Sequence, residues 1–348
     1  MIVKNNNLKV DKNKYNISLA LLRMILCFLV VNAHLFNSSK SFIKNIYILQ
    51  LLKNNISVPI FFIMSFYFCY KIISSKNIEK IKKRIERLII PYFIWPIIIL
   101  LINNLFYLIL NLKLKRSLFD LLLQYITGHN IVAVLWFQLN LIISTILILS
   151  LEILFKNNTL FILFNLIILA YIFQYSNLNY NYFSKYNYYM KYPYGRFMEI
   201  IPFCISGCIL SYYNIIKYLN KDKVKTIYML FLILFFLKKC NLINKSKGFN
   251  YQGINLHIKS LIIFLLFLLL PSEKITNIYI INFFKIFTNF TSGVYFLHIP
   301  VYNYVYKYIK LIQKQDIVGC LIIYLMCYFI SFIGIKIFGK SKLRNLFL

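Results

Sequence analysis

In the run "LLRMILCFLVVNAHLF" (residues 21–36) nearly every side chain suits lipid, yet Arg23 and His34 are ionisable. Eleven residues at ~100° each come to three turns and about 20°, so on a helix the two side chains share one face. They stand about 16 Å apart along the axis. An arginine within a membrane span costs ~3 kcal/mol on insertion scales, and such residues usually face a bundle interior or a wet cavity. Ionisable groups at two depths on one face suit a passage that handles a long, partly anionic ligand. Histidine adds a group that takes and gives a proton near neutral pH. The structural alternative is that Arg23 snorkels to the interface while His34 hydrogen-bonds a neighbouring helix.

The elements that position these residues have to be membrane helices. The chain has 348 residues, 60% of them hydrophobic, and a mean hydropathy of +0.69. A water-soluble protein of this size would expose too much apolar surface to stay dispersed. Runs such as "LIISTILILSLEILF" and "CLIIYLMCYFISFIGIKIF" have the length and composition of spans. The expected fold is all-α, a polytopic integral membrane helical bundle with about ten transmembrane helices. The spans predicted are 17–37, 56–73, 88–110, 134–155, 159–175, 196–213, 226–238, 257–271, 280–303 and 317–338. Residues 1–16 are then a cytoplasmic N-terminal segment, 17–338 the transmembrane domain and 339–348 a cytoplasmic tail. The first apolar run is longer than a signal core and lacks a small-x-small cleavage site, so it reads as a retained span. The block "KIISSKNIEKIKKRIER" (71–87) is the densest basic segment and places both termini inside.

The net charge of +31 invites a nucleic-acid reading. The lysines punctuate the apolar runs where they flank membrane ends, and no soluble basic domain collects them, so no nucleic-acid partner is expected. The seven cysteines lie mostly in apolar segments with no CxxC spacing. They read as small buried hydrophobes, and no metal site is expected. No internal repeat is evident.

Several motifs follow Arg23 and His34 in order. They are "SVPIFFIMSFYFCYK" (57–71), "KKRIERLIIPYFIW" (82–95), "VLWFQLNLII" (134–143), "RFMEIIPFCISGCIL" (196–210) and "TSGVYFLHIP" (291–300). Together with the R-x10-H helix, this succession resembles the membrane acyltransferase-3 family of O-acyltransferases from about residue 14 to 338. Two departures stand out. Ser65-Phe66-Tyr67 replaces the family's Ser-Gly-Phe, and Thr-Ser-Gly at 291–293 replaces Ser-Leu-Gly, shifting the serine by one.

The resemblance implies transfer of an acyl group, commonly acetyl, from a cytoplasmic acyl-CoA such as acetyl-CoA. The acceptor would be a hydroxyl of a cell-surface polysaccharide or lipid-linked glycan at a bacterial inner membrane. His34 is the candidate catalytic residue, as general base or as transient acyl acceptor. Arg84 and Arg87, one helical turn apart in a basic loop, are candidates for the donor's phosphates, with Arg23 further along the route. His298 and Tyr295 are secondary candidates on the acceptor side. Glu152 and Glu199 lie within predicted spans, and either could orient His34 or neutralise Arg23. Trp136 and its neighbour Phe137 could be pocket walls or interfacial anchors. His129 and His257 fall near span ends and receive no role. The Tyr- and Asn-rich segment before Arg196 suits sugar stacking, although interfacial tyrosines explain it equally well. The competing function is a transporter or flippase of a glycan or lipid intermediate, which would use the same intramembrane Arg and His; inverted repeats and broken helices, its usual marks, are not evident.

Overall fold

In hydrocarbon every backbone N–H and C=O must find its partner inside the protein, and helices meet that demand segment by segment. The computed structural model describes residues 16–35, 56–109, 118–128, 134–155, 158–175, 196–219, 222–239, 253–270, 277–305, 317–339 and 341–346. Among these the regular elements are all helical. In chain order they are α1 (Ile17–Leu35), α2 (Ser57–Ser74), α3 (Ile78–Ile109), α4 (Leu118–Thr127), α5 (Leu135–Leu154), α6 (Thr159–Tyr175), α7 (Arg196–Tyr212), α8 (Ile216–Leu219), α9 (Lys223–Lys239), α10 (Ile254–Leu269), α11 (Ile278–Asn289), α12 (Thr291–Val305) and α13 (Ile317–Phe338). A 3₁₀ turn over Lys342–Leu346 follows.

Three asparagines mark helix starts by accepting bonds from backbone N–H groups of the first turn. Asn16 Oδ1 accepts from Leu19, Asn77 Oδ1 from Lys80, and Asn277 Oδ1 from Tyr279 and Ile280. Among the described residues five stretches are long and apolar enough to cross a membrane alone: Ile17–His34, Ser57–Ser74, Ile78–Ile102, Leu135–Leu154 and Val318–Phe338. The other predicted spans correspond to shorter or divided helices. The stretch expected at 280–303 is split at Phe290, where Thr288 Oγ1 donates to the Phe284 carbonyl and Thr291 Oγ1 to the Thr288 carbonyl. Such side-chain bonds offer the backbone an alternative to a continuous ladder. The break makes Ser292 the second residue of a new helix.

The centre of the bundle is α1, which packs against α2, α10, α11, α12 and α13. The most extensive helix pair is α2 with α7. Gly207 permits it: a Cβ there would run into the Ile63 carbonyl oxygen and lie 2.9 Å from the Tyr67 nitrogen. Small residues serve this purpose in membranes, where close backbone approach supplies much of the packing energy.

The helix α4 is too short to span. It is fastened to α3 by Tyr92 Oη donating to the Tyr125 carbonyl at 2.6 Å and Tyr125 Oη to the Phe93 carbonyl at 2.7 Å. Gly128 then turns the chain with φ +67°, and its missing Cβ leaves room for the Trp136 backbone of α5. The C-terminal turn folds back on α3, where Trp95 Nε1–H donates to the Leu346 carbonyl at 3.2 Å.

Candidate functional site

The shared face of Arg23 and His34 meets α12. Arg23 Nη2 donates to Ser292 Oγ at 3.5 Å, and one turn on Cys27 Sγ lies 3.6 Å from the Thr291 carbonyl. At the other end of the face the His34 ring stands 5.3 Å from the ring of His298. The rotation of α1 is also fixed by α13. Tyr324 Oη donates to the Met24 carbonyl at 3.0 Å, and its ring meets Phe28 edge-on at 5.4 Å.

His298 is wholly buried, whereas His34 is exposed at its end of the helix. The His298 Nδ1–H donates to the Val294 carbonyl at 3.3 Å, and Nε2 has no hydrogen-bond partner. A fully buried ring nitrogen left that way is uncommon and draws attention to the site. Tyr295 stands 6.0 Å away, ring to ring, and its hydroxyl donates to the Val134 carbonyl at 3.5 Å. Phe137 covers Tyr295 at 5.0 Å. Trp136 is buried, with the Arg196 guanidinium 4.3 Å above its ring.

Arg84 and Arg87 sit on a helix, not in the loop expected from their charge. No glycine or proline interrupts Ile78–Ile90, so the basic segment continues as helix into the apolar part of α3. Three residues on a helix turn a side chain by ~300°, which leaves the two arginines about 60° apart, but their surroundings differ. Arg84 is half-buried against α2, with Nη2 donating to Ser65 Oγ at 3.0 Å and the guanidinium 5.7 Å from the Phe66 ring. Its buried Nε has no hydrogen-bond partner. Arg87 is exposed. Arg23 and Arg84 thus each donate to a serine on a neighbouring helix.

Glu152 Oε2 accepts from Tyr70 Oη at 3.1 Å, tying α5 to α2. Glu199 is buried in the first turn of α7, three residues after Arg196. His129 and residues 176–195 lie outside the described residues.

The sequence reading passed over one polar centre. His257, assigned nothing as a residue near a span end, is buried, with Nε2 2.7 Å from Ser206 Oγ and Nδ1 hydrogen-bonded to Tyr171 Oη. Its signal was a histidine in the mostly apolar helix α10, where burial costs enough to need partners. Among the described residues no group of three or more His, Cys, Asp or Glu could hold a metal ion.

A family profile described as an acyltransferase domain matches residues 16–336. No curated protein and no solved structure matches the chain.

Proposed function

Because the chain belongs to the acyltransferase-3 family of membrane acyltransferases, we propose that it moves an acetyl group from cytoplasmic acetyl-CoA to a hydroxyl of a cell-surface polysaccharide or its lipid-linked precursor. Its place is a bacterial inner membrane with the N-terminus inside. The observation that supports this use of the site is the common partner of Arg23 and His34: both face α12, one at Ser292 and the other at His298.

A sugar hydroxyl attacks a thioester slowly until a base removes its proton in the transition state. His34 takes that proton as the sugar oxygen bonds to the carbonyl carbon. The carbon–sulfur bond breaks, and the thiolate leaves with coenzyme A. Arg23 stands about 16 Å back along α1, away from the reacting carbonyl, where it lines the route of the donor's pantetheine arm. Arg84 receives the phosphates of the donor's nucleotide end. Its partners among the described residues, the Ser65 hydroxyl, the Phe66 ring and the Cys69 thiol, bring it no carboxylate. His298 and Tyr295 line the acceptor side.

The decisive comparison is glycan mass spectrometry of cells with and without the gene. Loss of one acetyl ester per repeat unit in the deletion supports the reading, and an unchanged ester pattern sinks it. Arg84→Gln is expected to raise the KM for acetyl-CoA about 10- to 100-fold, the equivalent of hydrogen bonds to a charged group, with kcat little changed. Arg87→Gln, on the exposed side, changes KM by about threefold or less. Equal effects at the two positions would return both to an ordinary basic membrane flank.

A further inference from the structure

A hydroxyl, an imidazole and a phenol from three helices form a connected centre apart from Arg23 and His34. Ser206 of α7 and His257 of α10 are both buried, and Tyr171 of α6 is half-buried. Ser206 Oγ lies 2.7 Å from His257 Nε2, and Tyr171 Oη bonds to Nδ1 of the same ring. Phe203, one turn before Ser206, meets the imidazole edge-on at 4.9 Å and limits its tilt.

A single hydrogen bond would suffice to tether two helices. Here both ring nitrogens are engaged by hydroxyls, so the imidazole is held in rotation and tilt while one nitrogen addresses a serine. A nucleophile within reach of a base, with the base oriented by a third group, is the arrangement that activates a hydroxyl. With the proton on Nδ1 donated to the Tyr171 oxygen, Nε2 accepts from Ser206.

Position adds a second observation. Ser206 adjoins Gly207, which is seated on the Ile63–Tyr67 stretch of α2. That stretch carries Ser65, the partner of Arg84. The trio therefore lies at the same level along α2 as the arginine assigned to the donor.

We propose that Ser206 is a transient acyl carrier, acylated by the donor thioester before the acceptor is modified, with His257 as its base and Tyr171 as the residue that positions the ring. This rests on the acyltransferase reading above and replaces its direct attack on the thioester with transfer in two steps. Ser206 Oγ attacks the thioester carbonyl while its proton passes to His257 Nε2. The carbon–sulfur bond breaks, and the coenzyme A thiolate takes the proton from the imidazolium. In the second half the acceptor hydroxyl attacks the serine ester and gives its proton to His257 Nε2. The ester bond to Oγ breaks, and Oγ takes that proton back from His257. Burial keeps water from the ester between the two steps.

The test uses the full chain in lipid nanodiscs with acetyl-CoA carrying a radiolabelled acetyl group and no acceptor. The expected result is an alkali-labile label on the peptide containing Ser206, approaching one acetyl per chain. Ser206→Ala abolishes that label, Ser206→Cys replaces it with a hydroxylamine-labile thioester, and His257→Gln slows its appearance at least 100-fold. The label is mapped in the wild-type protein, so the outcome does not depend on a variant that folds poorly. If the same preparation acetylates lipid-linked glycan from its own membranes while Ser206 stays unlabelled, or if Ser206→Ala does so at the wild-type rate, the trio is only a tether. That result leaves the acyltransferase reading intact. Absence of any acetyl transfer from acetyl-CoA, to the chain or to glycan, overturns both.

Discussion

Replacing His34 with alanine lowers acetyl transfer to the acceptor by about 10²- to 10⁴-fold, the range in which a positioned general base contributes, while the protein remains in the membrane at its normal level. The substitution is mild for the fold because His34 is exposed at its end of α1 and the bonds that fix the helix lie elsewhere, at Met24 and Ser292. The loss falls on kcat rather than on the KM for acetyl-CoA, since the base acts in the transition state and the donor is held by arginines. Exposure offers a further check: imidazole added to the His34→Ala protein restores part of the rate, because a small base can reach the vacated position. His298→Ala behaves differently. That ring is wholly buried among Tyr295 and the start of α5, so its removal leaves a cavity and lowers stability together with activity. The measurement is acetyl ester content of the surface glycan, normalised to protein in the membrane fraction. Undiminished acetylation by His34→Ala would remove His34 from the chemistry.

The common face of Arg23 and His34 was legible because helical periodicity alone dictates it. What that face looks at was not. Ser292 is 269 positions away in the chain, and only the packing of α1 against α12 joins them. The basic segment 78–87 looked like a loop because its charge marks a membrane boundary. Its lack of glycine and proline, with a capping Asn77, was the better guide to a helix that runs unbroken into the apolar part of α3. Hydropathy likewise located the apolar stretches without locating the break at Phe290, which depends on threonine hydroxyls competing for backbone carbonyls. His257 was invisible for a related reason: a histidine in one helix acquires meaning only when Ser206 and Tyr171 arrive from two others.

Gly207→Val is expected to prevent accumulation of folded protein, and Gly207→Ala to lower the Tm measurably. Two effects of opposite sign meet at this position. Alanine is worth about 1 kcal/mol more than glycine inside a helix, and overpacking costs about 1–3 kcal/mol, occasionally more. The second wins here because the atoms in the way cannot turn aside. The Cβ would meet the Ile63 carbonyl oxygen, the Tyr67 nitrogen and Phe66 Cβ, which are parts of α2 itself. Relief therefore requires the whole of α7 to move off α2. That shift would loosen the contacts holding Phe203 and Ser206 beside His257 and would disturb Ser65, where Arg84 is seated. Because the obstacle is backbone, Ile63→Ala does not rescue Gly207→Ala, whereas a clash with a side-chain end would be rescued. Thermal unfolding of the detergent-solubilised protein and its monodisperse fraction read both effects. A Gly207→Ala protein as stable as wild type would mean that α2 and α7 do not approach as closely as described, and the common level of Arg84 and the Ser206 centre would lose its support.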